Sequence, residues 1–108
     1  MADEREFGGI ATKLLMENDR VRIWEMRLEP GEESSLHKHD LDYIMIQVAG
    51  DKMAARFAPD SGGEWPGLDY IEGEIAPGNV LYAKRGGIET AVNIGAETFY
   101  EIVVELKD

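Results

Sequence analysis

Cysteine is absent from the 108 residues, so the chain holds no disulfide, offers no thiolate to a metal and has no cysteine nucleophile. Histidine is scarce, with His37 and His39 the only two. Any metal must therefore be taken by those imidazoles, by carboxylates, or by amide or phenol oxygens. Positive charge is also thin. Eleven basic side chains face twenty-two acidic ones, a formal charge of −11, which repels a phosphate backbone and an anionic membrane surface alike. Neither nucleic acid nor a membrane is expected as a partner, and the acidity reads as a solubility feature spread over strand faces and turns. No apolar run approaches the length of a membrane span. The opening Met1-Ala2-Asp3-Glu4-Arg5-Glu6 is charged where a secretory signal needs an apolar stretch, so the expectation is a soluble cytoplasmic protein. Also missing are a glycine-rich phosphate loop, a Gly-x-Ser-x-Gly elbow and a His-Glu-x-x-His helix. A triad from Ser34 or Ser35 with His37 lacks a third member that one strand can supply.

What is present is alternation. Sustained helical spacing is nowhere found, and apolar residues recur with period two in short segments bounded by Gly, Pro, Asn or Asp. Strands are expected at about 10–16, 21–28, 35–39, 42–48, 52–57, 69–75, 80–85, 88–93 and 98–106, with a longer loop at 58–67 carrying Trp65. Nine short strands in one small domain require a sandwich or barrel. Pro30-Gly31 and Pro77-Gly78 hold equivalent places, which suggests two similar β units folded together as a jelly roll. In the segment 42–48 one face carries Tyr43, Met45 and Gln47 and the other Ile44, Ile46 and Val48. If the mixed set lines the barrel, the aliphatic row is outside and needs cover, and a homodimer through this sheet is expected. Period alone leaves the reverse assignment open. Trp24, Met26 and Leu28 share one strand face, and Tyr100, Ile102, Val104 and Leu106 share another; both stripes read as core.

The richest segment runs from Gly31 to Tyr43 and contains His37-Lys38-His39. Residues two apart on a strand point the same way, so both imidazoles can reach one ion. The segment resembles the first motif of the cupin superfamily: glycine, five residues, His-x-His, three or four residues, glutamate, six residues, glycine. Gly31, His37, His39 and Gly50 fall in register, while Tyr43 stands at the glutamate position. The second cupin motif is glycine, five residues, proline, one residue, glycine, two residues, histidine, three residues, asparagine. Gly78, Gly86 and Asn93 keep that frame, Lys84 replaces the proline, and Glu89 stands where the family has its third metal-binding histidine.

The resemblance implies an all-β cupin domain over residues 1–108, a double-stranded β-helix of jelly-roll type with its core barrel at about 21–106, commonly dimeric and metal-binding. It carries His37 and His39 over as ligands. Glu89 either completes a two-His, one-carboxylate face, which suits non-haem iron, or is a solvated rim carboxylate that coordinates nothing. Tyr43 is either an oxygen ligand or a core residue with a hydrogen-bonded hydroxyl. Asp42 would swing inward only through a bulge. Gln47 shares the inward face and reads as a hydrogen-bonding neighbour of the ligands. Arg27, Arg56, Lys84 and Arg85 are the basic residues that could approach the mouth and receive a substrate carboxylate.

Two functions follow. The first is a metal-dependent oxygenase, lyase or isomerase acting on a small organic molecule, with a divalent Fe, Mn, Ni or Zn ion anchored by His37 and His39, Glu89 completing the site, and Tyr43 or Gln47 steering the substrate. The alternative is a non-catalytic cupin that binds a metal or small ligand for sensing or sequestration, or only dimerises.

Overall fold

Half-buried strands cannot hide their apolar faces alone, and here they pair into two antiparallel sheets laid face to face. The structure is a computed structural model describing residues 6–108; Met1 to Arg5 of the charged opening lie outside the described residues. The strands are β1 (Lys13–Glu17), β2 (Val21–Leu28), β3 (His37–Lys38), β4 (Tyr43–Ala49), β5 (Lys52–Phe57), β6 (Tyr70–Glu74), β7 (Val80–Ala83), β8 (Ile88–Asn93) and β9 (Phe99–Leu106). One sheet has the order β1-β2-β9-β4-β7 and the other β3-β8-β5-β6. Among the described residues there is no helix, so none is long and apolar enough to cross a membrane.

All nine expected strands form, and the shorter ones end for identifiable reasons. The segment expected at 35–39 keeps only His37–Lys38 as a regular strand, because the His39 amide and carbonyl bond to the Gly87 carbonyl and Gly86 amide of a turn. The segment expected at 80–85 stops at Ala83, where the Lys84 and Arg85 amides turn to the carboxylates of Glu64 and Asp42. The two Pro-Gly turns match in backbone as well as in sequence: Gly31 and Gly78 have φ of 86° and 88°. Their amides bond to the carbonyls of Asn93 and Gln47, and each turn leads the chain from one sheet towards the other.

Direction of the faces follows from burial. On β4, Tyr43 and Gln47 are buried and Ile44, Ile46 and Val48 are not, so the mixed set points inward. The central strand β9 corrects the sequence reading. Its buried residues are Phe99, Glu101, Val103 and Glu105, while Tyr100, Ile102, Val104 and Leu106 lie on the outer face. The register explains this. Gln47 and Met26 flank Glu101, Met45 and Trp24 flank Val103, and Tyr43 and Arg22 flank Glu105, so the inward rows of β2 and β4 force the same side on β9. Glu105 tolerates burial because its Oε1 accepts from Arg22 Nε and Trp24 Nε1, both at 2.7 Å. The interior is then filled in two groups: Ile10, Tyr43, Ala83 and Val103 at one end, and Met26, Leu28 and Phe99 at the other.

The outer face of the five-stranded sheet is correspondingly apolar. Ile23, Val104, Ile44 and Tyr82 sit abreast across β2, β9, β4 and β7, with Ile102, Ile46 and Val80 in the next row. Val80 and Tyr82 are 57% and 53% exposed.

Candidate metal centre

His37 and His39 are brought inward from the short β3 and the turn after it, and Glu89 arrives opposite them from β8. His37 pairs directly with Glu89 across the β3–β8 ladder, which puts both side chains on the same face. His39 follows two residues later, held by its two backbone bonds to the Gly86-Gly87 turn. The imidazole rings are only 2% and 3% exposed as residues.

The three side chains converge. One ligand atom from each of His37, His39 and Glu89 lies within 4.8 Å of the others. His39 Nε2 is 3.0 Å and His37 Nε2 3.7 Å from Glu89 Oε1. His37 Nδ1 lies 2.8 Å from the Ser35 carbonyl oxygen. That oxygen can only accept, so Nδ1 carries a proton, and Nε2 is the nitrogen turned to Glu89, the one that can take a metal in place of its contact with that carboxylate. His39 Nδ1 is buried without a hydrogen-bond partner. Burial alone would raise the Glu89 pKa, but hydrogen bonds from His37 and His39 and their charges outweigh it and hold the carboxyl at about 2. An ionised oxygen beside two imidazole nitrogens is a donor set that fits a divalent metal of the iron, manganese, nickel or zinc kind.

Tyr43 joins the cluster from β4, but as a neighbour. Its ring stacks on His39 with centroids 3.9 Å apart and planes at 12°. Its hydroxyl donates to Glu89 Oε1 over 3.5 Å. Burial first, then the charges of Glu89 and Glu101, push its pKa well above the phenol range, so Tyr43 remains a neutral donor. Gln47 lines the same cavity one layer further in, and its Oε1 accepts from the Ala76 amide at 3.1 Å and Asn79 Nδ2 at 3.3 Å. Asp42 does not swing inward: it accepts from Tyr82, from the Arg85 amide and from Arg85 Nε on the surface.

These groups line a cavity of about 220 Å³ between the sheets. Met26, Met53, Phe57, Phe99 and Val103 form much of its wall, with Trp65 of the 58–67 loop at its side. None of the basic candidates reaches it. Arg27 lies over the Tyr100 ring, Arg56 pairs with Glu33, and Arg85 pairs with Asp42 and Asp108; Lys84 is exposed. A residue that sequence reasoning missed does reach it, namely Glu101. The signal was the alternation Phe99, Glu101, Val103, Glu105, masked by the more apolar opposite row.

No sequence family and no curated protein matches the chain. Solved structures do. A cupin domain from Bordetella pertussis superposes with a TM-score of 0.74 at 21% identity, covering 98% of this chain and all of that one (100%). An RmlC-like cupin with a double-stranded β-helix fold from Methanocaldococcus jannaschii gives 0.68 at 20% identity over 99% of this chain and 93% of that one. A sugar phosphate isomerase of the cupin superfamily from Silicibacter pomeroyi gives 0.55 at 20% identity, over 82% of this chain and 52% of that one. With the Gly31, Gly50, Gly78, Gly86 and Asn93 frame in place around an inward-facing His-x-His, the chain has the cupin fold, a double-stranded β-helix.

Proposed function

We propose that this chain is a metal-dependent enzyme acting on a small oxygenated organic molecule by an oxygenase, lyase or isomerase step, with a divalent ion held by His37, His39 and Glu89. The observation that carries the reading is the convergence of two imidazoles and one ionised carboxylate beside a largely apolar cavity. A bound divalent metal supplies Lewis acidity towards substrate oxygens. The chain supplies the rest. The Ser35 carbonyl fixes the His37 tautomer, and the stacked Tyr43 ring fixes the plane of His39. Tyr43, a neutral hydroxyl beside Glu89, holds a proton where it can orient a substrate oxygen. Gln47, tethered to the 76–79 turn, steers the substrate from the inner wall. Met26, Met53 and Phe99 exclude water and raise the value of each polar contact. Polyhydroxylated molecules belong in the first substrate screen, since the same fold carries a sugar phosphate isomerase.

The reading includes a homodimer. The outer apolar rows, Ile23, Val104, Ile44 and Tyr82 in one and Ile102, Ile46 and Val80 in the next, form a patch that a second copy of the same face covers about a two-fold axis. The cytoplasm remains the expected compartment, since nothing in the chemistry requires an oxidising one.

Metal content by mass spectrometry, on protein purified without chelator or affinity nickel, tests the function. Stoichiometric metal that vanishes in His37→Ala and Glu89→Ala supports it, and a metal-free wild type that takes up no added metal sinks it.

A further inference from the structure

Glu101 is a carboxyl inside the barrel that the metal centre does not use. It stands on the inward face of the central strand β9, between Met26 of β2 and Gln47 of β4, and is 7% exposed. It lines the cavity that His37, His39 and Glu89 also line, yet it is not one of the three that converge on a metal. Its neighbour in the same row, Glu105, is matched by Arg22 and Trp24. Glu101 has no such match: among the described residues no side chain or amide donates to it and no lysine or arginine lines the cavity.

We propose that Glu101 is the second anchor of the cavity, a hydrogen-bonding group that receives the far end of a small oxygenated molecule whose near end lies at His37, His39 and Glu89. This rests on the metal-binding reading above. Among the described residues no protein group takes up the Glu101 carboxyl, so its hydrogen-bonding capacity is directed into the cavity it lines, where a ligand can use it. The titratable groups facing the same space are His37, His39, Tyr43, Glu72, Glu74 and Glu89. In the metal-free protein burial, and then the charge of Glu89, raise the Glu101 pKa to about 8; burial is the larger cause and persists when a metal offsets the Glu89 charge, which keeps the carboxyl a proton donor. A neutral donor at that point accepts a carbonyl, amide or hydroxyl oxygen. The ligand class is therefore a two-ended molecule, chelating through adjacent oxygens at one end and carrying an oxygen acceptor at the other. Val103, opposite Met45, stands on β9 between the Glu101 level and the Tyr43 level, and Met26 and Phe99 surround Glu101 itself, so the path from one anchor to the other favours an unsaturated or hydrocarbon spacer.

The test uses the full chain loaded with zinc, after calorimetry has established zinc uptake by the wild type and its loss in His37→Ala. Two probes are then titrated: catechol, which chelates only, and 3,4-dihydroxybenzamide, which adds a far-end oxygen. The amide binds the wild type about tenfold more tightly than catechol, the worth of one well-made buried hydrogen bond. Glu101→Gln, which keeps a donor, retains that preference, and Glu101→Leu loses it while still binding zinc and catechol. Equal binding of the two probes by the wild type overturns the inference, and so does a preference that survives in Glu101→Leu. If the wild type takes up no zinc, the metal-binding reading fails instead, and the two failures are told apart.

Discussion

Glu89 and Glu101 share one cavity and are pushed to opposite protonation states, because one meets two imidazoles and the other is buried with no cation and feels the like charge of Glu89. Their effects on stability in the metal-free protein therefore have opposite signs. Glu89 is depressed from 4.5 to about 2, so the stability it contributes is present above pH 4.5 and is lost as pH falls towards 2. Glu101 is raised from 4.5 to about 8, so the unfolded chain releases that proton first and stability falls as pH climbs through this window. Glu101→Gln is accordingly expected to be near-neutral at pH 5 and stabilising by about 1–3 kcal/mol at pH 9, read as a urea midpoint shift at both values. An equal effect at both pH values contradicts the assignment. At this scale the sequence disclosed His37 and His39, since two like residues at strand spacing advertise a shared face. It disclosed Glu89 and Tyr43 only as substituted positions. Their geometry, with Tyr43 stacked on His39 and donating to Glu89, depends on a contact between sheets that no local spacing encodes.

The strands themselves were legible because turn residues punctuate them. Gly31 and Gly78, each following a proline, adopt a left-handed φ that other residues enter at a cost. Nothing lies within 4 Å of where a Cβ would stand at Gly78, so Gly78→Ala isolates the backbone term. It is expected to cost about 1–2 kcal/mol in denaturant unfolding while leaving zinc affinity unchanged. A neutral substitution contradicts the shared geometry of the two turns. What the elements concealed was the direction of β9. Its row of Tyr100, Ile102, Val104 and Leu106 is more apolar than its row of Phe99, Glu101, Val103 and Glu105, and a period-two pattern assigns the former to the core. Register with β2 and β4 decides otherwise, and Arg22 and Trp24 neutralise one of the two glutamates turned inward. The same inversion turns the apolar row of β9 to the outside, beside Ile44 and Ile46.

For the whole molecule, that outer face is the surface the proposed dimer buries. Ile46→Lys, in the patch beside Ile102 and Val80, lowers the overall negative charge of each chain, so any separation of subunits comes from the charge placed in the interface itself. Light scattering is expected to give twice the 12.1 kDa chain mass for the wild type and a single chain for the variant. With a formal charge of −11 on each copy, added salt should tighten the wild-type dimer by screening. A monomeric wild type at high salt contradicts the assignment of this face. The fold as a whole was legible from the glycine, histidine and asparagine frame, whereas the cavity was not, because its wall is assembled from strands of both sheets that are far apart in sequence.

In the proposed function His37, His39 and Glu89 together hold a divalent metal and Tyr43 does not. Zinc titration calorimetry on wild type, His39→Ala, Glu89→Ala and Tyr43→Phe separates ligands from neighbour. One zinc per wild-type chain is expected, with binding lost in the first two variants and affinity lowered by no more than about 10- to 100-fold in Tyr43→Phe, the size of an effect transmitted through a hydrogen bond to a ligand. Undiminished binding in Glu89→Ala, or binding abolished in Tyr43→Phe, would contradict it.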